Sequence, residues 1–176
     1  EGPVRILFWG SGALGSTAVV LCRNLDAPLA VVDFDRVESK NLLSQAFVKQ
    51  SVGKNKADSL KLQLANFWSV KLDAHGVRLA DTNVDTLLSS ADLLVDCFDN
   101  QASRQLLSAF ARKTEKPLVH AALSGDGTFG LVRWQERFSA NAEDEAGQAT
   151  CEGGEHLPLI GLLGATLART IQDFLS

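Results

Sequence analysis

Gly10, Gly12 and Gly15 stand at the spacing Gly-x-Gly-x-x-Gly, with Ser11, Ala13 and Leu14 between them. Glycines at that spacing let backbone N–H groups approach a phosphate at a helix N-terminus. Asp33 and Asp35 close a second apolar run, where a carboxylate accepts hydrogen bonds from ribose hydroxyls. Lys56 opens an amphipathic segment, a place where a fixed ammonium meets a phosphate or a developing negative charge. Asp99, in Asp96-Cys97-Phe98-Asp99-Asn100, is placed either to hold Mg²⁺ on a nucleotide's phosphates or to cap the helix that follows. Arg104 lies one turn further on and suits a phosphate contact or a surface ion pair. The set points to a nucleotide, and the glycine loop alone does not say which one.

These residues need particular elements to bring them together. Residues 4–9 read as a buried strand, 13–25 as a helix and 29–32 as a second strand, the order that the glycine loop requires. Residues 41–47 form a short apolar and polar segment. A helix is expected over 56–68 and a half-exposed alternating strand over 70–79. A short helix over 84–89, a buried strand over 92–98 and a helix over 101–113 follow, the last capped by Asp99 or Asn100. Strands are expected over 117–123 and 129–134. Residues 139–156 read as a long acidic loop, and 158–174 as an apolar helix in which Gly161 and Gly164 would let another backbone approach. The alternation predicts an α/β fold with a doubly wound, mostly parallel sheet. It would carry a Rossmann-like nucleotide-binding half and a short antiparallel extension near the C-terminus. Ligands of such sheets bind at the carboxyl ends of the strands.

A length of 176 residues fits a single domain over 1–176, and 45% hydrophobic with 22% charged residues is ordinary globular composition. The net charge of −4 gives no support to a broad nucleic-acid surface. No apolar run approaches the ~20 residues of a membrane span. Cys22, Cys97 and Cys151 are widely spaced, with no Cys-x-x-Cys pair. That fits a reducing cytoplasm and predicts neither a disulfide framework nor a zinc site. With no methionine and an opening of Glu1-Gly2-Pro3, the native start is expected to be missing.

Residues 33–45, Asp-Phe-Asp-Arg-Val-Glu-Ser-Lys-Asn-Leu-Leu-Ser-Gln, resemble the Asp-x-Asp-x-Val-x-x-x-Asn-Leu-x-Arg-Gln signature of the ubiquitin-activating-enzyme superfamily, of the ThiF/MoeB/HesA type. Val52-Gly53-Lys54-Asn55-Lys56-Ala57 is similar to its Val-Gly-x-x-Lys-Ala motif, and Cys97-Phe98-Asp99-Asn100 to its Thr-Asp-Asn motif. Residues 125–130 and 151–165 resemble its closing segments, so the likeness spans nearly the whole chain. The resemblance implies ATP-dependent adenylation of a carboxylate, typically the C-terminal glycine of a ubiquitin-like or sulfur-carrier protein or peptide. It implies a nucleotide loop of Gly10, Gly12, Ala13 and Gly15, and Asp33 on the ribose. Asn41 and Lys56 would meet phosphates and Asp99 would assist Mg²⁺, with Asp35 and Asn100 completing the nucleotide-binding set. A homodimer is implied as well.

Ser44 departs from the signature by standing where the family carries an arginine. A second family arginine, donated from a segment ahead of the first strand, falls outside the sequence. Each lost charge-assisted hydrogen bond is worth roughly 1.5–3 kcal/mol. Lys40, Lys54 and Arg104 are the candidates to replace the missing charge, with Arg104 foremost. Cys151 occupies a stretch where some family members keep an acyl-accepting cysteine, with His156 as a candidate base. The departures leave open a catalytically impaired, nucleotide-binding partner subunit. The glycine loop and Asp33 alone would also permit an NAD-dependent oxidoreductase, and a branch of the family adenylates a tRNA-borne carboxylate.

Overall fold

The computed structural model describes residues 2–98, 100–135 and 153–176. Strands and α-helices alternate along them as β1 (Ile6–Trp9), α1 (Ala13–Leu21), β2 (Leu29–Val32), α2 (Lys56–Trp68), β3 (Leu72–His75) and α3 (Val84–Leu88). After these come β4 (Leu93–Asp96), α4 (Gln101–Thr114), β5 (Leu118–Leu123), β6 (Gly130–Trp134) and α5 (Leu157–Leu175). The strands form one sheet in the order β3-β2-β1-β4-β5-β6. β1 to β5 run parallel, and β6 joins β5 antiparallel. The strand order reverses at β1, which has β2 on one side and β4 on the other. That is where a doubly wound sheet opens a ligand crevice.

Strand alternation sends side chains to two cores. Ile6 and Phe8 of β1, Val31 of β2 and Val95 of β4 pack under Leu14, Ala18, Leu60, Leu64, Ile160 and Leu167 of α1, α2 and α5. Leu7 and Trp9, one residue out of phase, pack with Val84 and Leu88 of α3 and Leu107 and Phe110 of α4. A strand buried on both faces needs a continuous apolar run, which Ile6-Leu7-Phe8-Trp9 supplies. Each such buried large side chain contributes about 1.5–3 kcal/mol.

Most expected elements are present, and the differences have local causes. The strand foreseen over 70–79 stops at His75. At the next residue, Gly76, a Cβ would lie 2.9 Å from the Asn55 side chain, so the chain turns away against the start of α2. α1 ends at Leu21 rather than 25, and Arg23 donates from Nη1 to the Val20 carbonyl at 2.9 Å as the chain drops towards β2. Residues 39–43 and 49–51 are short 3-10 helices that apolar periodicity did not show. Asn100, one of the two expected caps of α4, accepts from the Ala102 and Ser103 N–H groups.

The small residues of α5 serve a contact within the chain. A Cβ on Gly164 would sit 2.7 Å from Thr17 Cγ2 of α1, so Gly164 is where these two helices touch. Gly161 has no heavy atom within 4 Å of the equivalent position. In the loop after β1, a Cβ on Gly15 would lie 2.1 Å from the Gly10 carbonyl oxygen. Urea denaturation should therefore separate the glycines. Gly161→Ala is expected to stabilise by about 0.5–1 kcal/mol through helix propensity, and Gly15→Ala to destabilise by about 2 kcal/mol or more through a backbone clash.

Candidate nucleotide site

The loop from β1 to α1 bends sharply at Gly10, which has φ +87. A Cβ there would lie 3.1 Å from the Cys97 carbonyl group and from the Phe98 ring. The loop thus lies against the carboxyl end of β4. Helix α1 begins at Ala13 with no side-chain cap and no acidic residue in its first turn. Its first N–H groups are left for a ligand of opposite charge.

Asp33 binds this loop to the rest of the crevice. Its Oδ2 accepts from both the backbone N–H and the hydroxyl of Ser11, each at 2.7 Å, and its Oδ1 accepts from the Asp35 N–H at 2.8 Å. The Asn55 amide donates to the carbonyls of Asp33 and Asp35 at 3.0 and 3.3 Å, while its Oδ1 caps α2 through the Asp58 N–H. The Lys56 N–H donates to the Asp35 carbonyl at 2.9 Å. The start of α2 is therefore pinned to the end of β2. Ser11 and Asn55 had not been singled out from sequence. Ser11 sits in a variable position of the glycine motif, and Asn55 shows itself only as a helix-capping residue type.

Lys56 is 7% exposed, and its ammonium has no hydrogen-bond or ion-pair partner among the described residues. Its stem is buried while the ammonium keeps access to solvent, where an anion can meet it. Asn41 is buried in the 3-10 helix of residues 39–43, where its Oδ1 accepts from the Glu38 N–H at 2.8 Å. Its amide Nδ2 is left as the group able to donate to a phosphate. Ser44, at 1% exposure, ends that helix and brings no charge. Lys40 is engaged with Glu38 at 3.6 Å. Asp99 and Cys151 lie outside the described residues.

On the α4 face, the fully buried Asp96 accepts from the Phe98 N–H at 3.0 Å, from Arg104 Nε at 3.0 Å and from His120 Nδ1 at 2.7 Å. His120 Nε2 lies 3.1 Å from Gln135 Oε1, and Gln135 Nε2 donates to the Ser108 carbonyl at 3.3 Å. Arg104 thus spends its Nε on Asp96, and a phosphate contact is left to its Nη groups. His120 and Gln135 are additions to the reading from sequence, in which neither had a distinguishing motif. His156 packs its ring against Gly127 and lies 3.7 Å from Glu155.

A glycine loop on an uncapped helix, a buried aspartate closing β2 and a lysine whose ammonium has no partner among the described residues, all at the carboxyl ends of a doubly wound sheet, fit a nucleotide-binding protein of the Rossmann-like class. The ThiF family model matches residues 3–171, and the chain belongs to that family. It is 30% identical to the adenylyltransferase and sulfurtransferase MOCS3 of Caenorhabditis briggsae, over 93% of this chain and 43% of that protein. It is 36% identical to the adenylyltransferase and sulfurtransferase uba4 of Pyricularia oryzae, over 93% of this chain and 37% of that protein. The chain therefore spans well under half the length of these curated relatives. Among solved structures, E. coli MccB with AMPCPP and MccA superposes with a TM-score of 0.80 at 17% identity, over 98% of this chain and 55% of that one. TcdA (CsdL) gives 0.63 at 23% identity, over 69% and 52%. These two likenesses establish the fold.

Two of the three thiols are built to be inert. Burial pushes the Cys22 thiol up to about 12. Burial, and then the Asp96 charge, raise Cys97 well above the usual thiol range. Both shifts favour the protonated form, so thiolate is scarce at every pH below the raised value. At pH 8 the native chain should carry roughly a thousand-fold less thiolate at Cys22 than the unfolded chain does. Iodoacetamide labelling followed by peptide mapping is expected to leave Cys22 and Cys97 unmodified until denaturant is added.

Proposed function

We propose that the crevice binds ATP with Mg²⁺ and adenylates a carboxylate, the C-terminal glycine of a ubiquitin-like or sulfur-carrier protein or peptide. The observation that carries this reading is Lys56, a largely buried side chain whose ammonium has no partner among the described residues, on a helix whose start is pinned to the end of β2. The names of the MOCS3 and uba4 relatives, adenylyltransferase and sulfurtransferase, support it. In the reaction, a carboxylate oxygen attacks the α-phosphorus of ATP. A new C–O–P link forms, the bond from that phosphorus to the bridging oxygen breaks, and pyrophosphate leaves with the electron pair. Gly12, Ala13 and Gly15 would cradle phosphate with backbone N–H groups, while Gly10, whose N–H is spent on the Val32 carbonyl at 2.9 Å, would shape the turn. Asp33 would take the ribose, Asn41 Nδ2 would donate to a phosphate, and Lys56 would neutralise charge developing around the α-phosphorus.

Mg²⁺ would supply further charge neutralisation on the phosphates, and Asp99 remains its proposed protein contact. Cys151, with His156 as its base, is proposed as an acyl acceptor. A homodimer accords with the apolar side chains left on α5, where Leu157 and Leu162 are exposed.

A second reading, a nucleotide-binding partner subunit without its own catalysis, is favoured by a specific shortage of cations. Ser44 supplies no charge, Lys40 is paired with Glu38 and Arg104 has given its Nε to Asp96, which leaves Lys54, exposed before α2, as the remaining candidate cation. ATP–pyrophosphate exchange with a panel of glycine-terminated carrier proteins decides between them. The adenylation reading expects Mg²⁺-dependent exchange with at least one carrier, and exchange lowered by about a hundred-fold in Lys56→Ala. Binding of ATP with no exchange across the panel would leave the partner-subunit reading in its place.

A further inference from the structure

A carboxylate offers about four acceptor positions, two on each oxygen. Asp33 is 4% exposed, and three of its positions are already filled from within the chain. Ser11 takes two on Oδ2 with its N–H and its hydroxyl, and Asp35 takes one on Oδ1 with its N–H. The Ser11 hydroxyl is itself an alcohol at 2.7 Å from the carboxylate, chemically equivalent to a ribose hydroxyl in the same role. Ser11 is fully buried, so water does not compete for this contact.

We propose that Ser11 is a specificity residue: its hydroxyl permanently occupies one acceptor position of Asp33, so that the carboxylate reads one hydroxyl of a bound ribose instead of two. The inference rests on the reading of this crevice as a ribonucleotide site and deepens it. One position on Oδ1 remains, and one ribose hydroxyl fills it. The other hydroxyl is bound by nothing on Asp33, and its loss is tolerated. An alanine at position 11 keeps the N–H contact and frees the second position on Oδ2, which lets the carboxylate accept both hydroxyls.

The test is calorimetric titration of ATP, 2′-deoxyATP and 3′-deoxyATP, each with Mg²⁺, into the wild-type chain, Ser11→Ala and Ser11→Gly. For the wild type, one deoxy analogue should bind about ten-fold more weakly than ATP, the loss of one hydrogen bond to a charged acceptor. The other should bind within about two-fold of ATP. In Ser11→Ala both analogues should bind about ten-fold more weakly than ATP does. Ser11→Gly gives the same readout if the alanine variant does not fold, and the wild-type comparison stands without either variant. Wild-type losses of about ten-fold with both analogues would overturn the proposal, as would equal binding of all three nucleotides. An unchanged pattern in the Ser11 variants would overturn it too. A wild-type chain that binds no ATP at all would refute the underlying site reading, a result separate from any of these.

Discussion

The Asp33 carboxylate and the backbone just behind it hold the crevice together. The side chain fastens the glycine loop through Ser11 and the turn after β2 through Asp35. The adjoining carbonyls of Asp33 and Asp35 accept from Asn55, and that of Asp35 also accepts from the Lys56 N–H, which sets the first turn of α2. Three segments far apart in sequence thus share one anchor of charge-assisted and backbone hydrogen bonds. The two bonds from Ser11 to Asp33 are buried and so stronger than the same bonds in water. Together with the Gly10 N–H, which donates to the Val32 carbonyl at 2.9 Å, this anchor holds the glycine loop and the start of α2 at the same end of the sheet.

A second anchor works from the opposite face. Asp96 joins the turn after β4 to Arg104 of α4 and His120 of β5. A wholly buried carboxylate is tolerable only with such partners, and removing one partner typically costs about 3–5 kcal/mol. The network explains why Arg104, which from sequence suits a phosphate contact, first serves structure. It also orients the segment from Phe98 into α4, where Asn100 caps the helix. The two anchors flank the point at which the strand order reverses, so the crevice is defined by rigid elements on both sides.

Much of this was legible in the chain because the signals were local. The run Ile6–Trp9, the glycine spacing and Asp33 announce a strand, a loop and a carboxylate at the end of the next strand within a few dozen residues. The parallel sheet and its antiparallel last strand follow from the alternation of apolar runs, and the family from motifs in order. What was not legible depends on distant pairing. The joining of His120 to Asp96 requires β5 to lie alongside β4, and that of Gln135 to His120 requires the end of β6 to lie alongside β5. The early stop of β3 depends on Gly76 meeting Asn55, and the role of Gly164 on α1 being its neighbour. The 3-10 helix around Asn41 is set by a Glu38–Asn41 capping box, which has no apolar period to reveal it.

In the proposed ATP site, affinity for the nucleotide depends on the Lys56 ammonium. The most direct measurement is calorimetric titration of Mg·ATP, and separately of NAD, into the wild-type chain and into Lys56→Met, with folding of the variant checked by circular dichroism. The account predicts that ATP binds the wild type more tightly than NAD does, and that a folded Lys56→Met loses ATP affinity by about ten-fold or more, the worth of one charge-assisted contact. Tighter binding of NAD, or ATP affinity unchanged in Lys56→Met, would contradict it.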